Sequence, residues 1–505
     1  MRIRDIIGRL GGDEFALILV MQQGQQGAAL VASKIREVLR APFELQGHEV
    51  NVTASIGITI HPEDASDFDT LIKYADTAMY RAKQAGRDTY RFFTAQMNAD
   101  VQARLNLETA LRRAVENEEF VLYYQPKVRL NSGRISGLEA LLRWQRPGHG
   151  MVPPNEFILL LEETGLIVRV GSWVISSVCN PIGLWLNSMV GAVQVSVNVS
   201  GRQFVEGDLD ADVIRGLEIN GIPADLLELE LTETSLMANT ERTIGTLRNL
   251  KHRCVQISID DFGTGYSSLA YLRCFPIDKL KIDIAFIRDV TTNPDDAAIV
   301  LAIIQMAHSL KLDVVAEGVE SAAQMMYLRR HHCDYIQGFC FSAPLPVTQV
   351  EKILRDEQHL LLPVGARSTQ QKTLLLVDNE PHMLAPLQHL LRQDGYRILA
   401  ARSAAEGFEL LALNEVQIIL CNQRLPIKNG NSGVFLDNVK ELYPDTFRIS
   451  PGDIYRESIL DAMNRGAIYC VYTKPWDDIL LRDNVREAFR SYCLLHNVFT
   501  DDLDG

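Results

Sequence analysis

The sequence predicts an α/β chain in three parts: a partial α+β fold in front, a (β/α)8 TIM-like barrel in the middle and a doubly wound α/β fold behind it. Three observations carry this. Strand and helix patterns alternate over roughly 250 residues, the size of such a barrel. A shorter ββαβαβ block precedes them, and a further alternating block follows, opening on the buried-strand run Thr373-Leu-Leu-Leu-Val377. A length of 505 residues accommodates about three domains at roughly 150 residues each.

The first block covers residues 1–93. Residues 6–20 read as a hairpin with Gly11-Gly12-Asp13 at its tip, 28–40 as an amphipathic helix, 50–60 as a β-branched strand, 68–84 as a second helix and 89–93 as a closing strand. Residues 94–107 begin a helical connector whose apolar stripe, Val101, Leu105, Leu107, Leu111 and Val115, runs on towards 117. The barrel is assigned 108–357, with strands at 121–124, 135–140, 193–199, 227–231, 255–259, 279–282, 314–316 and 335–338. Residues 358–371, polar and carrying Pro363 and Gly365, read as a linker. The third block spans 372–495, with strands at 373–377, 418–421 and 467–472, and an acidic tail fills 496–505.

Composition narrows the function classes. Lys plus Arg is 50 and Asp plus Glu is 64, a formal charge of -14, which argues against long nucleic acids and anionic membranes as partners. No apolar run is expected to reach the ~18 residues of a membrane span. The apolar start is broken at once by Gly11, Gly12, Asp13 and Glu14, so no signal peptide is expected and the location reads as cytoplasmic. The eight cysteines, none in CxxC spacing, read as buried reduced thiols, and His331-His332-Cys333 lacks the four-ligand spacing of a zinc site.

Barrel chemistry sits at the C-terminal ends of the strands. Those ends are acidic: Glu139, Asn198, Glu230, Asp260 with Asp261, Lys281, Glu317 and Gln337, in strand order from two to eight. Any one such carboxylate is ordinarily a helix cap or a solvated loop residue. Five carboxylates against one lysine leave about −4 in one mouth, which repels itself unless cations neutralise it. Carboxylate and amide oxygens select hard ions, Mg²⁺ or Mn²⁺. Two such ions about 3.5–4 Å apart suit in-line attack of an activated water on a phosphodiester.

The residues carry a resemblance. Glu139-Ala-Leu-Leu-Arg143-Trp144 is similar to the signature of EAL-domain phosphodiesterases, which cut cyclic di-GMP to linear pGpG. Val195-Ser-Val-Asn198, Glu230-Leu-Thr-Glu233, Asp260-Asp261-Phe-Gly-Thr-Gly-Tyr-Ser-Ser-Leu269, Lys279-Leu-Lys281-Ile-Asp283, Ala316-Glu317-Gly-Val-Glu320 and Gln337-Gly-Phe match in order. The resemblance implies Glu139, Asn198, Glu230 and Asp260 as ligands of a first divalent cation, with Asp260 bridging and Asp261 serving the second. Lys281 and Glu317 would position the attacking water, with Glu317 as candidate base. Arg143 and Leu142 would contact substrate, and Gln337 would hold the second ion's hydration shell. Glu233 would anchor the Gly263-Thr264-Gly265 loop, which in the family couples metal binding to dimerisation. A homodimer through this domain is the implied assembly.

The flanks resemble signalling domains. Arg9-Leu-Gly11-Gly12-Asp13-Glu14-Phe15 is similar to the centre of GGDEF diguanylate cyclases, and Arg2 with Asp5 fits their inhibitory RxxD motif. Only ten residues precede Gly11, so the family's first strand and two helices, with a metal-binding aspartate, have no counterpart, and cyclase activity is not expected. Leu376-Val-Asp378-Asn379-Glu380, Cys421-Asn422 and Thr473-Lys474-Pro475 resemble a response-regulator receiver. Its phosphoacceptor position is Asn422, its acidic pair is Asp378 with Asn379, its hydroxyl is best matched by Ser450 and its lysine is Lys474. An amide cannot accept a phosphoryl group as aspartate does, so the implied role is phosphorylation-independent dimerisation or docking to a protein partner. The leading expectation is a cyclic di-GMP phosphodiesterase; the alternatives are a silent cyclic di-GMP receptor signalling through its receiver and a bifunctional cyclase–phosphodiesterase.

Overall fold

The computed structural model describes residues 5–20, 24–188, 190–237, 240–263, 272, 274–362, 372–421, 432–451, 466, 469–472 and 477–496. Arg2, Thr264, Gly265, Asn422, Lys474 and the tail beyond 496 therefore lie outside the described residues. The chain divides into two compact units, Met1–Asn117 and Glu118–Gly505.

In the first unit the hairpin pairs β1 (Ile6–Gly11) with β2 (Glu14–Ile18). The strand expected at 50–60 is instead split. β3 (Phe43–Leu45) and β4 (His48–Val50) form a second hairpin, because Gln46 and Gly47 both take positive φ, the geometry of a tight two-residue turn. β5 (Ile56–Ile58) then pairs in parallel with β6 (Tyr90–Phe92). Among the described residues these are three separate two-stranded pairs. Both faces of the first hairpin carry uncovered apolar side chains, with Ile6, Leu10 and Phe15 each about 60% exposed. The connector is one helix, Ala95–Glu116, capped by Thr94 and running through the 107/108 boundary assigned from sequence.

The second unit opens with the barrel. Its eight strands are β7 (Phe120–Arg129), β8 (Ile135–Arg146), β10 (Gln194–Asn198), β11 (Leu227–Thr232), β12 (Gln256–Phe262), β13 (Lys279–Ile282), β14 (Asp313–Ala316) and β15 (Tyr335–Gln337); β9 (Gly150–Val152) extends the sheet at β8 and β16 (Leu345–Pro346) at β7. The barrel closes by pairing β15 with β7. It departs from a regular (β/α)8 pattern at its first strand, since β7 is antiparallel to both neighbours. The cause is local: β7 and β8 are joined by residues 130–134, with Gly133 at φ +70, a connection far too short for a parallel crossover.

The helix Leu166–Leu186 is long and apolar enough to cross a membrane by length and composition alone, although Arg169, Ser172, Ser176, Ser177 and Asn180 interrupt it and no contiguous apolar run in it reaches the ~18 residues of a span. Its apolarity has another use here. Val170, Val174, Val178, Ile182 and Trp185 are buried at helical spacing against β10 and the helix Leu209–Asn220. None of the eight cysteines is disulfide-bonded among the described residues, but Cys254 and Cys274 are exposed, so burial does not hold for the whole set.

Behind the barrel, β17 (Thr373–Val377), β18 (Arg397–Ala401), β19 (Ile418–Cys421), β20 (Phe447–Pro451) and β21 (Cys470–Tyr472) form a parallel sheet in the order 18-17-19-20-21, one of the common doubly wound orders. Leu374, Leu376, Ile418, Leu420 and Ile449 pack on Leu481, Val485 and Phe489 of the last helix, Asp478–Leu495. This domain rests on the barrel. Tyr443 meets Tyr327 edge-on at 6.5 Å, the Arg330 guanidinium lies over the Tyr443 ring, and Asn438 donates to the Thr292 carbonyl at 3.0 Å. Tyr327 is 1% exposed, so the contact is a sealed one.

Within the C-terminal domain the last helix is clamped by Asp394. Its carboxylate accepts from Arg482 at 2.6 and 2.9 Å and from Arg486 at 2.7 Å. The Arg482 hydrogen bond, seconded by Arg486, holds the Asp394 carboxyl below its ordinary value of 3.8. A carboxyl lowered on folding stabilises the fold above its unfolded pKa, and that contribution fades as pH falls through the folded value. Asp394→Asn should therefore lower the melting temperature at pH 7, and the gap to wild type should narrow in melts taken below about pH 3.8.

Candidate active site

The mouth is assembled from residues on or just after seven strands, and register fixes its levels. Asn198 pairs with Glu230 across β10 and β11, and Glu139 sits opposite Gln125 on β7 and Ser196 on β10. Glu139 lies within β8 and not at its end, because the second half of that strand continues past the mouth to pair with β7 and β9. Asp260 and Asp261 are neighbours, and in a regular strand their side chains would point to opposite faces. Here the β12–β13 register shifts between Ile259 and Phe262, and Asp261 takes φ +55. The kink turns both carboxylates to the same side.

At the centre is Lys281, fully buried. Its ammonium group lies 2.5 Å from Glu317, 2.6 Å from Glu230, 3.1 Å from Asp260 and 3.5 Å from Glu139. The Asn198 amide donates to Glu139 Oε1 at 2.7 Å and the Gln337 amide to Oε2 at 2.5 Å, so Glu139 is held from both sides. Gln337 also donates to Gln125 Oε1 at 3.1 Å. The chain beyond Gln337 has no room for a side chain: a Cβ on Gly338 would stand 2.2 Å from the Val319 carbonyl oxygen, which keeps the Glu317 and Gln337 loops in contact.

The electrostatics follow from this crowding. Burial, then repulsion from Asp260 and Glu139, overcomes the pull of Lys281 and pushes Glu317 up to about 8. Burial and the Glu230 charge raise Glu139 likewise. Asp261, half-buried beside Asp260, rises to about 6. Glu230 is the exception. Burial would raise it too, but the ammonium groups of Lys127 and Lys281 on its two oxygens hold it well below the carboxylate range. Burial of Lys281 is likewise overcome, by Glu139, Glu230, Glu317 and Asp260, and its pKa lies well above the ordinary lysine value.

The donor set suits divalent cations. Glu139, Glu230 and Asp260 bring one carboxylate oxygen each within 4.8 Å of one another, and Asp260, Asp261 and Glu317 form a second such group around the shared Asp260. Buried Gln337 Oε1 has no hydrogen-bond partner among the described residues, an acceptor suited to a water or an ion's hydration shell. All these donors are oxygens, the preference of hard cations. On the rim, Arg143 is half-buried beside Tyr123, with Nη1 donating to the Leu142 carbonyl at 2.9 Å. Buried Glu233 has one oxygen, Oε2, without a partner among the described residues.

Sequence reasoning missed four residues of this neighbourhood: Gln125, Lys127, Glu228 and Lys279. Lys127 and Lys279 bond Glu228, and Lys127 bonds Glu230 as well. The charge near the mouth is therefore three lysines against six carboxylates, about −3 and not −4. The Leu-Glu-Leu-Glu-Leu alternation of 227–231 was the available signal, since residues two apart share a strand face.

Other site residues expected from sequence lie apart from this cluster. Gly11, Gly12, Asp13 and Glu14 are exposed at the first hairpin, where Arg9 donates twice to the Gly12 carbonyl, and Asp5 precedes it. In the C-terminal domain Asp378 is buried after β17 and accepts from the Glu380 amide, Ser450 is buried on β20, and Asn379 is exposed.

Residues 108–344 match the family model of the EAL domain, and residues 1–89 that of the GGDEF domain of diguanylate cyclases. The barrel is an EAL domain. Similar proteins include the bifunctional diguanylate cyclase/cyclic di-GMP phosphodiesterase MucR of Pseudomonas aeruginosa, 43% identical over 69% of this chain and 51% of that protein, and the cyclic di-GMP phosphodiesterase PdeR of Escherichia coli, 40% identical over 69% and 52%. The chain thus spans about half the length of these relatives. A solved PaMucR phosphodiesterase–cyclic di-GMP complex is 43% identical over 48% of this chain and 99% of its own, with a TM-score of 0.47.

The role of Lys281 as shared counter-charge of the EAL mouth is open to direct test. Lys281→Met should lower the unfolding free energy in EDTA by about 3–5 kcal/mol, since it strands buried carboxylates. In denaturant titrations the deficit should shrink as pH is lowered and Glu139 and Glu317 protonate.

Proposed function

We propose that this chain hydrolyses cyclic di-GMP to linear pGpG at the barrel mouth by a two-cation phosphodiesterase mechanism. The observation that carries the reading is the pair of three-oxygen groups sharing Asp260. Glu139, Asn198, Glu230 and Asp260 would hold one divalent cation, Mg²⁺ or Mn²⁺, and Asp260 with Asp261 a second. Such a pair, when bound, neutralises phosphodiester charge and lowers the pKa of a coordinated water.

The protein's own groups supply the rest. Asn198 spends its amide nitrogen on Glu139, which leaves its carbonyl oxygen for a cation. Lys281 sits where it can orient a water between Asp260 and Glu317. Glu317 is the candidate base: raised to about 8 in the crowded mouth, it is brought into its proton-accepting form as the charges of Asp260 and Glu139 are neutralised. Arg143 presents a planar fork of donors at the rim, matched to a phosphate oxygen pair, next to Leu142. Gln337 fixes Glu139, and its open oxygen would accept from the second ion's hydration shell. Glu233 would anchor the loop that follows Gly263.

We read the C-terminal domain as a receiver that has lost phosphoryl chemistry and docks instead. Its strand order and the Tyr443–Tyr327 contact support this, as does Asn379 in place of a second acid. It covers the barrel helices Pro294–Ser309 and Ala322–Arg330, so a homodimer through the barrel would use other faces. The first unit is read as a cyclase-like domain without turnover, consistent with its uncovered hairpin. The setting of the whole protein is taken as cytoplasmic.

Chromatography of cyclic di-GMP incubated with the protein should show pGpG with Mn²⁺ or Mg²⁺ and none after EDTA. Glu139→Ala should lose turnover by at least about 100-fold; binding without hydrolysis under either ion would point to a receptor. Acetyl phosphate should not label the chain stably, and a label abolished by changing Asn422 would overturn the docking role.

A further inference from the structure

Beneath the mouth the barrel interior carries charge where layers of Val, Ile and Leu are usual. Five side chains alternate in sign. Lys279 Nζ donates to Glu228 Oε2 at 2.6 Å, Lys127 Nζ to Glu228 Oε1 at 3.3 Å and to Glu230 Oε1 at 2.5 Å, and Lys281 Nζ to Glu230 Oε2 at 2.6 Å. Lys127, Glu228 and Glu230 are 3%, 1% and 0% exposed. Glu228 and Glu230 share the inner face of β11, and the antiparallel β7 puts Lys127 opposite Gln337, at the floor of the site.

We propose that Lys127 is a positioning residue for Glu230: it fixes Oε1 from below so that this carboxylate offers Oε2 alone to the mouth. The inference rests on the reading of Glu230 as a cation ligand. The two lysines are not equivalent. Lys281 on Oε2 also serves Glu139, Asp260 and Glu317, so it keeps partners when Oε2 turns to another cation. Lys127 bonds only Glu228 besides Glu230 among the described residues, and it stays below. The terminal torsion of a glutamate is broad and nearly two-fold, so without Lys127 nothing on Oε1 selects one orientation.

The test is Mn²⁺ binding to the full chain without substrate, followed by the electron paramagnetic resonance of free Mn²⁺, with thermal melts alongside. Removing a positive charge should tighten cation binding by Coulomb's law alone. Lys127→Met is nevertheless expected to weaken Mn²⁺ binding about tenfold or more, the loss typical of groups that orient a ligand. Lys127→Met also leaves buried Glu228 with Lys279 in place of two ammonium partners, a purely structural injury that Glu228→Gln in the same chain relieves while restoring the net charge. The double variant should regain melting temperature but not Mn²⁺ affinity. Unchanged or tighter binding in either folded variant, or affinity regained in the double one, overturns the inference; if Lys127→Met does not fold, the double variant is judged by the same criterion. Wild-type protein that binds no Mn²⁺, or a Glu139→Gln variant that binds it equally, overturns the cation reading itself and this inference with it.

Discussion

An excess of buried negative charge, held together by one ammonium group, is the constraint on which the rest of the barrel depends. Lys281 reaches four carboxylates carried on or just beyond four different strands, and each strand must hold its carboxylate at the right height for it to do so. Desolvation of a lysine is normally unfavourable, and here it is outweighed by that many opposite charges at contact distance. The same crowding leaves Glu139, Asp261 and Glu317 with raised pKa values. The site is thus under-neutralised by design of its own donor set, which is the condition in which added cations gain most.

The barrel meets this constraint through its irregular parts. The reversed β7 brings Gln125 and Lys127 to the floor, the long β8 holds Glu139 level with Ser196 and itself runs on past the mouth, and the bulge in β12 doubles the carboxylates of one strand end. None of these belongs to a uniform parallel barrel. The regular helices serve packing: Leu166–Leu186 gives its apolar face to the barrel wall, and Ala322–Arg330 carries Tyr327, against which the C-terminal domain is seated.

Much of this was legible in the sequence, for physical reasons that also explain what was not. Period-two and helical-period patterns placed the barrel strands, and acids at successive strand ends named the mouth, because burial and strand alternation write themselves into neighbouring residues. The direction of β7 escaped, since a strand reads alike in both senses and only the short turn at 130–134 distinguishes them. Gln125 and Lys127 escaped with it. The run at 50–60 misled because β-branched residues mark extended chain without saying where pairing stops, and the Gln46-Gly47 turn recruits only its first residue, Val50. Leu166–Leu186 passes for a span by composition and not by any contiguous run, because Arg169, Ser172, Ser176 and Asn180 recur every three or four residues among its apolar ones. Docking of the third domain on Tyr327 has no local signature at all, because a tyrosine buried by another domain looks like any other.

The left-handed backbone at Asp261 has a consequence for how this mouth can change by drift. Only Gly, Asn and Asp enter that conformation readily, and any other residue adds a backbone penalty to the loss of its carboxylate. Asn and Gly codons each lie one base away from those of Asp. Genetic decay at this position therefore has two paths that the fold does not resist, whereas loss of Lys281 is resisted by the folding of the barrel itself. A lineage relaxing its chemistry would be expected to keep the lysine long after the second aspartate had gone.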